Sequence, residues 1–422
     1  MKVVTVGTGM AAAEFVERLR LDGFAGEIVM CGDEEFAPYS PCVIPFYLAG
    51  EPLETDYWKG SDFYGRYRVT PRLADPVVEV DAERRLVRTV TGRSERYDRL
   101  FYAAGARSWY PRPDWLDTRG VFGFKTLSDM VAIDRYIREH NVSEAVVFGG
   151  GFIGVDAALA LWHRGLAITL VHRNTRVLSQ MTDEEGGQFA TGKLAEKTGM
   201  DIRLRTTVAD IETTGGELSA VRFSDGTARE TKLLIVAIGV SPNSEPLRGD
   251  DKGVPSDRQM LAEAGIYAAG DVAVTPHAVT GETGVYATYP NAMRQARTAA
   301  RHLLHGDGSY AGSVNTNVLK KHIDFPIVSA GSFTGEPVTW QRGDVWRRVY
   351  LKDGMINGYI IIGDTKMSGY IYQLYVSRRR VDGTIRAILS SQRHDAYYRQ
   401  VTGCGAGRSS GRGYGVQGAM AG

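Results

Sequence analysis

The sequence has very few cysteines, no long apolar run and no surplus of charge of either sign. Its 422 residues include three cysteines, Cys31, Cys42 and Cys404, and none of them forms a C-x-x-C pair. We therefore expect no disulfide framework and no metal site, and we expect a reducing, cytoplasmic location. No stretch of about twenty apolar residues predicts a transmembrane helix. The N-terminus, "MKVVTVGTGM", lacks the longer apolar core and cleavage site of a signal peptide.

The charge balance excludes two classes of partner. Lysine and arginine total 50 and aspartate and glutamate total 49, which gives a net charge of +1. Such a balance predicts neither a nucleic-acid-binding surface nor a membrane-binding one. With 422 residues, 43% of them hydrophobic, the chain is long enough for two or three domains with real cores.

One supersecondary unit occurs twice in the sequence. Residues 2–7, "KVVTVG", are typical of a buried strand, 10–20 of a helix, and "GEIVMCGDEE" of a second strand. The same order returns 142 residues later with "AVVFGGG" at 145–151, a helical run, and "AITLVHR" at 167–173. Repetition of a strand, a glycine turn, a helix and a strand predicts two nucleotide-binding domains.

The first glycine turn, "VGTGMAA", places Gly7, Gly9 and Ala12 in a G-x-G-x-x-A spacing. The first glycine permits a tight turn, the second lets the backbone approach a pyrophosphate, and the small third residue keeps the helix close to the strand. The helix N-terminus adds free N–H groups and partial positive charge. Asp33 or Glu34, near the end of the next strand, is placed to accept hydrogen bonds from ribose hydroxyls.

The second glycine turn, "FGGGFIG", places Gly149, Gly151 and Gly154 in the same spacing. Its second strand ends in "VHRNTR" rather than in an acid. Basic groups there could pair with a 2′-phosphate, which favours NADPH over NADH. The alternative is a solvated basic turn and a cofactor without that phosphate. The candidate residues are His172, Arg173 and Arg176.

Two later segments complete the pattern. "AGIYAAGDVA" (264–273) ends a further strand in Gly270 and Asp271, and an acid in this position can accept hydrogen bonds from ligand hydroxyls, although Gly-Asp alone is also a simple turn. A helix fits 291–304. From about residue 312 the sequence changes to short strand-like runs, and "KDGMINGY" is typical of a hairpin.

In order and spacing, "VGTGMAA", "YDRLFYAAGA", "FGGGFIG", "IVAIGVSPN" and "AAGDVA" resemble the flavin-dependent pyridine-nucleotide oxidoreductases with two dinucleotide-binding domains. The resemblance covers about residues 1–310 and implies an α/β fold with two Rossmann-like, glutathione-reductase-like domains. To these the later segments add a small α+β C-terminal domain. The predicted FAD-binding domain is discontinuous, 1–115 and 242–311. The other predicted regions are the NAD(P)-binding domain 116–241, the C-terminal domain 312–395 and a glycine-rich, solvated tail 396–422.

The resemblance also implies which residues bind the cofactors. For FAD they are Gly7, Gly9, Met10, Ala11, Ala12, Asp33 or Glu34, Ala104, Gly105, Gly270 and Asp271. For NADPH or NADH they are Gly149, Gly151, Phe152, Ile153, Gly154, His172, Arg173 and Arg176. Gly239 is a further candidate and lies in "IVAIGVSPN", the segment that returns from the NAD(P)-binding domain to the FAD-binding domain. The implied chemistry is hydride transfer between nicotinamide C4 and flavin N5, with the helix near Pro290 directed at the flavin.

The segment "APYSPCVIPFYLAG", which contains Cys42, bears on which branch of this superfamily the chain resembles. The segment resembles the coenzyme A-disulfide reductases and NADH oxidases, in which one cysteine works beside the flavin. No Lys, Arg or His within 37–50 would lower the pKa of this thiol. A buried, inert cysteine that lines the flavin pocket is the alternative.

A third branch fits better, namely the flavoprotein subunits of complexes that oxidise aldehydes or 2-oxoacids, such as tungsten aldehyde oxidoreductases and phenylglyoxylate dehydrogenase. The "PYSP…IPF" segment and "LKDGMINGYIIIGDT" carry this resemblance. It implies an iron–sulfur partner subunit in a hetero-oligomer, because this chain lacks cysteines for its own cluster. The competing hypotheses are a homodimeric, free-standing NAD(P)H oxidase or coenzyme A-disulfide reductase that uses Cys42, and a cofactor-binding scaffold without turnover.

Three further residues receive simple interpretations. His277 is expected on a surface loop. Arg347 and Arg348 are expected to be solvated charges rather than a docking face for an acidic partner.

Overall fold

The computed structural model describes residues 1–51, 57, 59–320, 322–381 and 383–390. The end of the predicted C-terminal domain, 391–395, lies outside the described residues, as do the predicted tail 396–422 and Cys404.

The described residues form ten α-helices, three of which the sequence predicts. They are α1 Met10–Leu21, α2 Ile44–Leu48, α3 Phe63–Arg66, α4 Leu127–His140, α5 Phe152–His163, α6 Glu184–Thr198, α7 Glu245–Arg248, α8 Tyr289–His305, α9 Ser368–Val376 and α10 Ile385–Ser390. A short 3₁₀ helix spans Pro113–Asp117. The helices predicted after the two glycine turns and after the Gly-Asp motif are α1, α5 and α8, so these three predictions are confirmed.

The strands are short and fall into three groups along the chain. The first group is β1 Lys2–Val6, β2 Glu27–Cys31, β3 Thr70–Arg72, β4 Val77–Asp81, β5 Leu86–Thr89, β6 Ser94–Arg96, β7 Arg99–Tyr102 and β8 Ala106–Ser108. The second is β9 Val121–Phe122, β10 Glu144–Phe148, β11 Ala167–His172, β12 Asp201–Leu204, β13 Val208–Thr214, β14 Glu217–Phe223, β15 Ala228–Glu230, β16 Leu234–Val236 and β17 Val240–Pro242. The third is β18 Val254–Pro255, β19 Leu261–Glu263, β20 Ile266–Ala268, β21 Ala273–Pro276, β22 Thr283–Val285, β23 Thr316–Leu319, β24 Ile327–Gly331, β25 Glu336–Arg342, β26 Val345–Lys352 and β27 Met355–Ile362.

The first large sheet draws its strands from both ends of the predicted discontinuous domain. Its order is β19-β20-β7-β1-β2-β3, and only the β19–β20 pair is antiparallel. The central strand β1 is buried from its second residue onward, as expected for a parallel strand covered on both faces. Phe15 of α1 stacks on Phe101 of β7 with ring centroids 3.9 Å apart. The helix is therefore packed directly against the sheet that carries its glycine turn.

The second large sheet repeats this arrangement. Its order is β12-β11-β10-β16-β9, and all four pairs are parallel. Helix α5 presents Ala157, Ala158 and Ala160 as fully buried residues. Such small side chains let a helix approach a sheet closely. Two parallel sheets in one chain confirm the predicted α/β class with two Rossmann-like units, and the boundaries at 115, 241 and 311 stay predictions.

The C-terminal region is an antiparallel sheet, β23-β24-β27-β26-β25, with α9 and α10. The predicted hairpin is β26–β27, with Asp353 and Gly354 in its turn. One face of the sheet packs against the second parallel sheet's core through Leu319, Trp346 and Ile360. The other face packs against α9 and α10. The predicted α+β architecture is thus confirmed within the described residues.

The expectation that Arg347 and Arg348 are solvated is wrong. Their exposed fractions are 1% and 8%, because the sheet is covered on both faces. The Arg347 guanidinium donates to Leu389 O at 2.7 Å and lies 5.0 Å from the centroid of the Trp340 ring. Arg348 pairs with Asp183, at the N-cap of α6. Both arginines therefore belong to the packed interior rather than to a docking face.

The described residues contain no helix with the length and apolar content that crossing a lipid bilayer requires.

Candidate functional site

The first glycine turn leads from β1 into α1 and has the geometry that its sequence predicts. Gly7 has φ +103°, and a Cβ there would lie 2.1 Å from Ala103 O. Only glycine satisfies both conditions, since side chains rarely adopt this φ and backbone cannot move aside cheaply. Its N–H donates to Cys31 O at 2.7 Å. The turn therefore lies between the C-terminal ends of β2 and β7, at the usual ligand edge of a parallel sheet.

The second turn has a similar geometry relative to its own sheet. Gly149 has φ +122°, and a Cβ there would lie 2.2 Å from Ala237 O. Its N–H donates to Val171 O at 2.8 Å. The third glycine, Gly154, contacts the turn so closely that a Cβ would lie 1.6 Å from Gly149 O. This contact fixes the start of α5 against the turn, as the third motif position requires.

The middle glycines of the two motifs indicate ligand sites, because neither backbone conformation nor packing within the protein requires glycine at these positions. Gly9 and Gly151 have φ −71° and −76°, values that any residue adopts. A Cβ on either would have no protein atom within 4 Å. Both occupy the N-caps of twelve-residue helices, and neither cap has a side-chain hydrogen bond. Open space in front of the N-terminus of each helix suits a pyrophosphate at each turn.

The residues that open each helix fit the same interpretation. Met10 and Ala11 begin α1 and are buried, whereas Ile153, in the first turn of α5, is 38% exposed beside the half-buried Phe152. Ala12 is fully buried against its sheet. An exposed apolar side chain in the first turn of α5 is available to a bound nucleotide.

The Gly-Asp motif joins the first turn in space. Gly270 has φ +81°, and a Cβ there would lie 3.4 Å from that of Ala11 and 4.0 Å from that of Ala292, on α8. The N–H of Gly270 donates to the amide oxygen of Gln295, also on α8, at 2.8 Å. The three segments implied for FAD thus meet at one end of the first sheet.

Asp271 has a partner that the sequence did not indicate. Lys125 Nζ lies 2.6 Å from Asp271 Oδ2, although 146 residues separate them. Lys125 precedes α4, whose N-terminus is closed by a capping box between Thr126 and Asp129. The T-x-x-D pattern could have located this helix start. Nothing in the sequence could have paired Lys125 with the Gly-Asp motif.

The structure distinguishes between the two candidate ribose acids. Glu34 accepts hydrogen bonds from the hydroxyl of Tyr39 at 2.6 Å and from the backbone N–H of Ser128 at 2.9 Å. Burial raises the pKa of Glu34, although these hydrogen bonds oppose the shift. Both oxygens of Glu34 are thus engaged in holding α4. Asp33 is exposed and directly follows the glycine at the end of β2, which favours Asp33 as the ribose ligand.

The three basic candidates at the end of β11 have different surroundings. His172 is buried, its Nδ1 accepts the Gly150 N–H at 3.1 Å, and its Nε2 lies 3.3 Å from Ser179 Oγ. Burial, with the nearby Arg173 and Arg176, lowers the pKa of His172 to about 4. His172 is therefore neutral at physiological pH and does not supply the predicted cation for a phosphate. Arg176 pairs with Glu184, and Arg173 is exposed.

The remaining predicted residues lie where two segments cross between the sheets. Ala104 and Gly105 follow β7, and their carbonyls accept hydrogen bonds from Asn243 at 2.9 Å each. Gly239 has φ +146°, and its carbonyl accepts from the N–H of Trp109 at 3.0 Å. The structure thus brings Gly239 beside the Ala104–Gly105 segment, and the cofactor contacts of all three stay predictions.

Cys42 is exposed in the structure, so the alternative of a buried, inert cysteine is excluded. It lies in the turn before α2, and α2 packs into the core of the second sheet through Ile44 and Leu48. Burial, and to a lesser degree the nearby Cys42, raise the pKa of Tyr289 at the start of α8. Cys42 is therefore close to the helix that is predicted to face the flavin.

The expectation that His277 lies on the surface is wrong. His277 is 6% exposed, and its Nδ1 accepts the N–H groups of Val279 and Thr280 at 3.2 Å each. It fixes the turn between β21 and β22. Among the described residues, no three His, Cys, Asp or Glu side chains gather in a way that could hold a metal ion.

A family model described as "Pyridine nucleotide-disulphide oxidoreductase" matches residues 1–296. The match begins before the first glycine turn and ends within α8. It includes both turns and the Gly-Asp motif.

Three curated relatives differ in how much of their length the chain covers. The NADH-dependent phenylglyoxylate dehydrogenase subunit epsilon of Aromatoleum evansii is 28% identical in an alignment of 401 residues that covers 89% of this chain and 92% of that subunit. The NAD(P)H coenzyme A polysulfide/persulfide reductase of Pyrococcus horikoshii is 28% identical in an alignment of 332 residues that covers 76% of this chain and 73% of the relative. The assimilatory nitrate reductase electron transfer subunit of Bacillus subtilis is 26% identical in an alignment of 380 residues that covers 86% of this chain. This chain spans only 48% of that relative's length.

One solved structure has the same fold over most of this chain. A covalent complex of putidaredoxin reductase with putidaredoxin superposes with a TM-score of 0.84 at 24% identity. The alignment covers 95% of this chain and 98% of the matched chain. At this identity the likeness establishes the arrangement of the sheets and helices.

Proposed function

This chain belongs to the pyridine nucleotide-disulphide oxidoreductase family. Within that family we propose that it is the flavoprotein subunit of a larger aldehyde or 2-oxoacid oxidoreductase. It is an FAD-dependent NAD(P)H oxidoreductase, as its family and relatives are. In the proposed complex it passes electrons between the nicotinamide nucleotide and an iron–sulfur partner chain in the cytoplasm.

The observation that carries the proposal is the extent of one match. The sequence similarity to the phenylglyoxylate dehydrogenase subunit epsilon covers 89% of this chain and 92% of that subunit, so it includes the C-terminal antiparallel sheet as well as the two parallel sheets. The sequence similarity to the coenzyme A persulfide reductase covers 76% of this chain. The longer of these two sequence matches supports the complex subunit.

The residues of the two turns fit the two nucleotides. The open space at Gly9 and at Gly151, in front of the N-termini of α1 and α5, would accommodate one pyrophosphate each. Asp33 would accept hydrogen bonds from the ribose of FAD, and Asp271, held by Lys125, would accept them from the flavin's polyol chain. When bound, FAD supplies a centre that takes up a hydride from the nicotinamide and can release the two electrons singly.

The partner is another polypeptide because this chain offers no cluster ligands. Iron–sulfur clusters are held mainly by four cysteine thiolates, and the whole sequence has three cysteines. Cys31 is buried in β2, and burial raises the pKa of its thiol to about 12. Cys42 is exposed on a different element. Neither could share a cluster with the other.

One observation supports the second candidate, a free-standing reductase that uses Cys42. Cys42 is exposed and lies close to Tyr289 at the start of α8. A thiol in this place could exchange with a disulfide or persulfide substrate. The two candidates therefore differ in whether turnover depends on Cys42.

The test compares the wild-type protein with the Cys42→Ser variant. We expect the purified wild type to be yellow and to be bleached by NADPH or NADH. We expect Cys42→Ser to retain NAD(P)H-dependent reduction of an artificial electron acceptor such as dichlorophenolindophenol within about twofold, because hydride transfer to flavin does not pass through this thiol. Turnover with coenzyme A disulfide should be negligible in both proteins.

The native protein supplies the second measurement. Purification from its own cells should bring down a chain that is rich in iron and acid-labile sulfide. Rapid reduction of coenzyme A disulfide or O₂ by the wild type, lost in Cys42→Ser, would instead establish the free-standing reductase. A colourless protein that takes up no FAD would refute both candidates.

A further inference from the structure

The N-terminus of α4 joins two units of the molecule, the first built on the first parallel sheet and the second on the second. The first amides of a helix have no carbonyl partners within that helix. In α4 the N–H of Leu127 donates to the Tyr39 hydroxyl at 3.0 Å. The N–H of Ser128 donates to Glu34 Oε1 at 2.9 Å. Tyr39 and Glu34 follow β2 of the first sheet, so side chains of the first unit cap a helix of the second.

The Glu34 carboxylate is the centre of this junction. Its Oε1 also accepts the hydroxyl of Ser128 at 2.8 Å, and its Oε2 accepts the hydroxyl of Tyr39 at 2.6 Å. A carboxylate at the N-terminus of a helix meets the positive end of the helix dipole, and charge-assisted hydrogen bonds are stronger than neutral ones. Glu34 thus holds both donors of Ser128 and, by way of Tyr39, the N–H of Leu127.

The segment that begins at Glu34 is attached to the second unit again at its other end. We call residues 34–48 the strap. Its helix α2 places Ile44 and Leu48 in the hydrophobic core of the second unit. Arg164, the C-cap of α5, donates to Leu48 O at 3.1 Å. The second unit therefore holds both ends of the strap, although the strap follows a strand of the first unit.

One hydrophobic core connects this junction to the second glycine turn. Helix α4 contributes Leu127, Met130 and Ile133 to the core of the second unit, and all three are fully buried. Helix α5, which begins directly after Gly151, contributes Val155 to the same core. Interior side chains are close-packed, so a displacement of α4 is transmitted to α5. The place of the second turn relative to the first sheet therefore depends on how α4 is held.

The covalent connections between the units are slender by comparison. The two crossings of the chain pair with each other as β8 and β17, over three residues each. A two-stranded ribbon is only marginally stable on its own. The angle between the units therefore depends on non-covalent contacts. Those at the start of α4 include the Lys125–Asp271 pair as well as the bonds to the strap.

We propose that Glu34 and Tyr39 are positioning residues, which cap α4 from the first unit and thereby fix the second glycine turn relative to the first. This placement sets the geometry in which a nicotinamide nucleotide on the second turn meets the flavin on the first. A misplacement of about 1 Å can lower a rate by on the order of a hundredfold. The proposal goes beyond the proposed function and applies to both candidates, because both begin with the same hydride transfer.

The first measurement is stopped-flow reduction of the flavin in the full-length, FAD-loaded protein. We expect Glu34→Ala to lower the limiting rate at saturating NADPH or NADH at least about tenfold, because the nucleotide is bound but misplaced. The Kd of the nucleotide should change by less than about twofold, since its own contacts remain. Glu34→Gln should restore most of the rate, because its amide oxygen still accepts both donors of Ser128. A purely structural role would lower stability and leave the limiting rate unchanged.

The second measurement requires no flavin. Amide-resolved hydrogen exchange of the full-length protein reports the bonds at the start of α4 directly. We expect Glu34→Ala to accelerate exchange of the Leu127 and Ser128 amides at least about tenfold, because their acceptors are lost or displaced. Tyr39→Phe removes a single hydroxyl and is the milder variant should Glu34→Ala fail to fold. It should accelerate exchange of the Leu127 amide alone.

Asp225→Ala is the matched control. The Asp225 carboxylate also accepts the N–H and the hydroxyl of one residue, Thr227, at 2.9 and 2.6 Å, but both residues lie in the second unit. Its loss should change neither the limiting rate nor the exchange at α4. An unchanged limiting rate in Glu34→Ala, or an equal loss in Asp225→Ala, would overturn the proposal. So would unchanged exchange in both Glu34→Ala and Tyr39→Phe. Absence of FAD uptake would count against the proposed function alone, because the exchange measurement would still decide this inference.

Discussion

Gly151 and Gly154 show that glycines of one motif serve different purposes. A Cβ on Gly154 would lie 1.6 Å from Gly149 O, so this glycine is required by the fold itself. At Gly151 a Cβ would meet no protein atom within 4 Å, and φ is ordinary. Nothing in the packing of the chain explains Gly151, whereas the approach of a ligand does.

Alanine substitutions at these positions should therefore separate binding from stability. We expect Gly151→Ala to cost at most about 1 kcal/mol, since alanine is only a poorer helix N-cap, and to weaken nucleotide binding at least tenfold. We expect Gly154→Ala to cost about 3 kcal/mol or more, because backbone has to move. Denaturant unfolding and calorimetric titration with NADPH check both. Equal stability of the two variants would contradict this interpretation.

His172 should make stability depend on pH in a defined window. The unfolded chain binds a proton at this imidazole below pH 6.5, whereas the folded protein does so only below about pH 4. Between these values the unfolded state holds more protons, so stability falls as the pH is lowered. The loss should total roughly 3 kcal/mol by pH 4. Unfolding curves of His172→Asn should lack this component, and parallel pH profiles for the two proteins would count against it.

At the scale of elements, α6 attaches the C-terminal sheet to the second parallel sheet. Its N-cap, Asp183, accepts the N–H of Gly186 at 2.7 Å, the Arg348 guanidinium at 2.7 Å and the Tyr350 hydroxyl at 2.5 Å. Arg348 also pairs with Glu185 and lies 4.9 Å from the Trp346 ring centroid. The N-cap residue of α6 thus binds two side chains of β26, a strand of the C-terminal sheet.

Removal of the Arg348 charge should destabilise this junction strongly. Arg348→Met leaves the Asp183 carboxylate, which is only 11% exposed, without its cation, and such a loss typically costs about 3–5 kcal/mol. Lys197 and Asp324 form a matched control, because they also join α6 to the C-terminal region but are 43% and 68% exposed. Lys197→Met should cost less than about 1 kcal/mol. Thermal unfolding of both variants is the measurement, and similar losses would disprove the role of burial.

For the whole molecule, the predicted FAD site requires segments that are far apart in the chain. Gly9, Asp33 and Asp271 come from both halves of the discontinuous domain, and the first sheet brings their segments to one end. A ligand that contacts all of them stabilises the folded state, because the unfolded chain has no such site.

Removal of FAD should therefore lower the unfolding temperature, and added FAD should restore it. At a free concentration one hundred times its Kd, FAD stabilises the folded protein by about 2.7 kcal/mol. Riboflavin is the control ligand, since it lacks the pyrophosphate that Gly9 and the N-terminus of α1 are placed to bind. Differential scanning calorimetry of the apoprotein with either ligand checks the expectation. The same melting temperature with and without FAD would contradict the site.

The sequence by itself determined the two glycine turns, their strands and helices, and the class of the fold. These features depend on local constraints: a positive φ at Gly7 and Gly149, small residues where a helix meets a strand, and apolar runs that suit buried parallel strands. Such constraints act over a few residues and are therefore visible in a short stretch of sequence.

Only the tertiary structure decided what the charged side chains do. It buried Arg347 and Arg348, engaged Glu34 with the start of α4, and neutralised His172 beside Gly150. It also joined Arg205 to the end of β11, where the backbone N–H of Arg205 donates to Asn174 O at 3.0 Å. The physical reason is that the pairing and solvation of a charge depend on neighbours from distant segments, which only the packed molecule brings together.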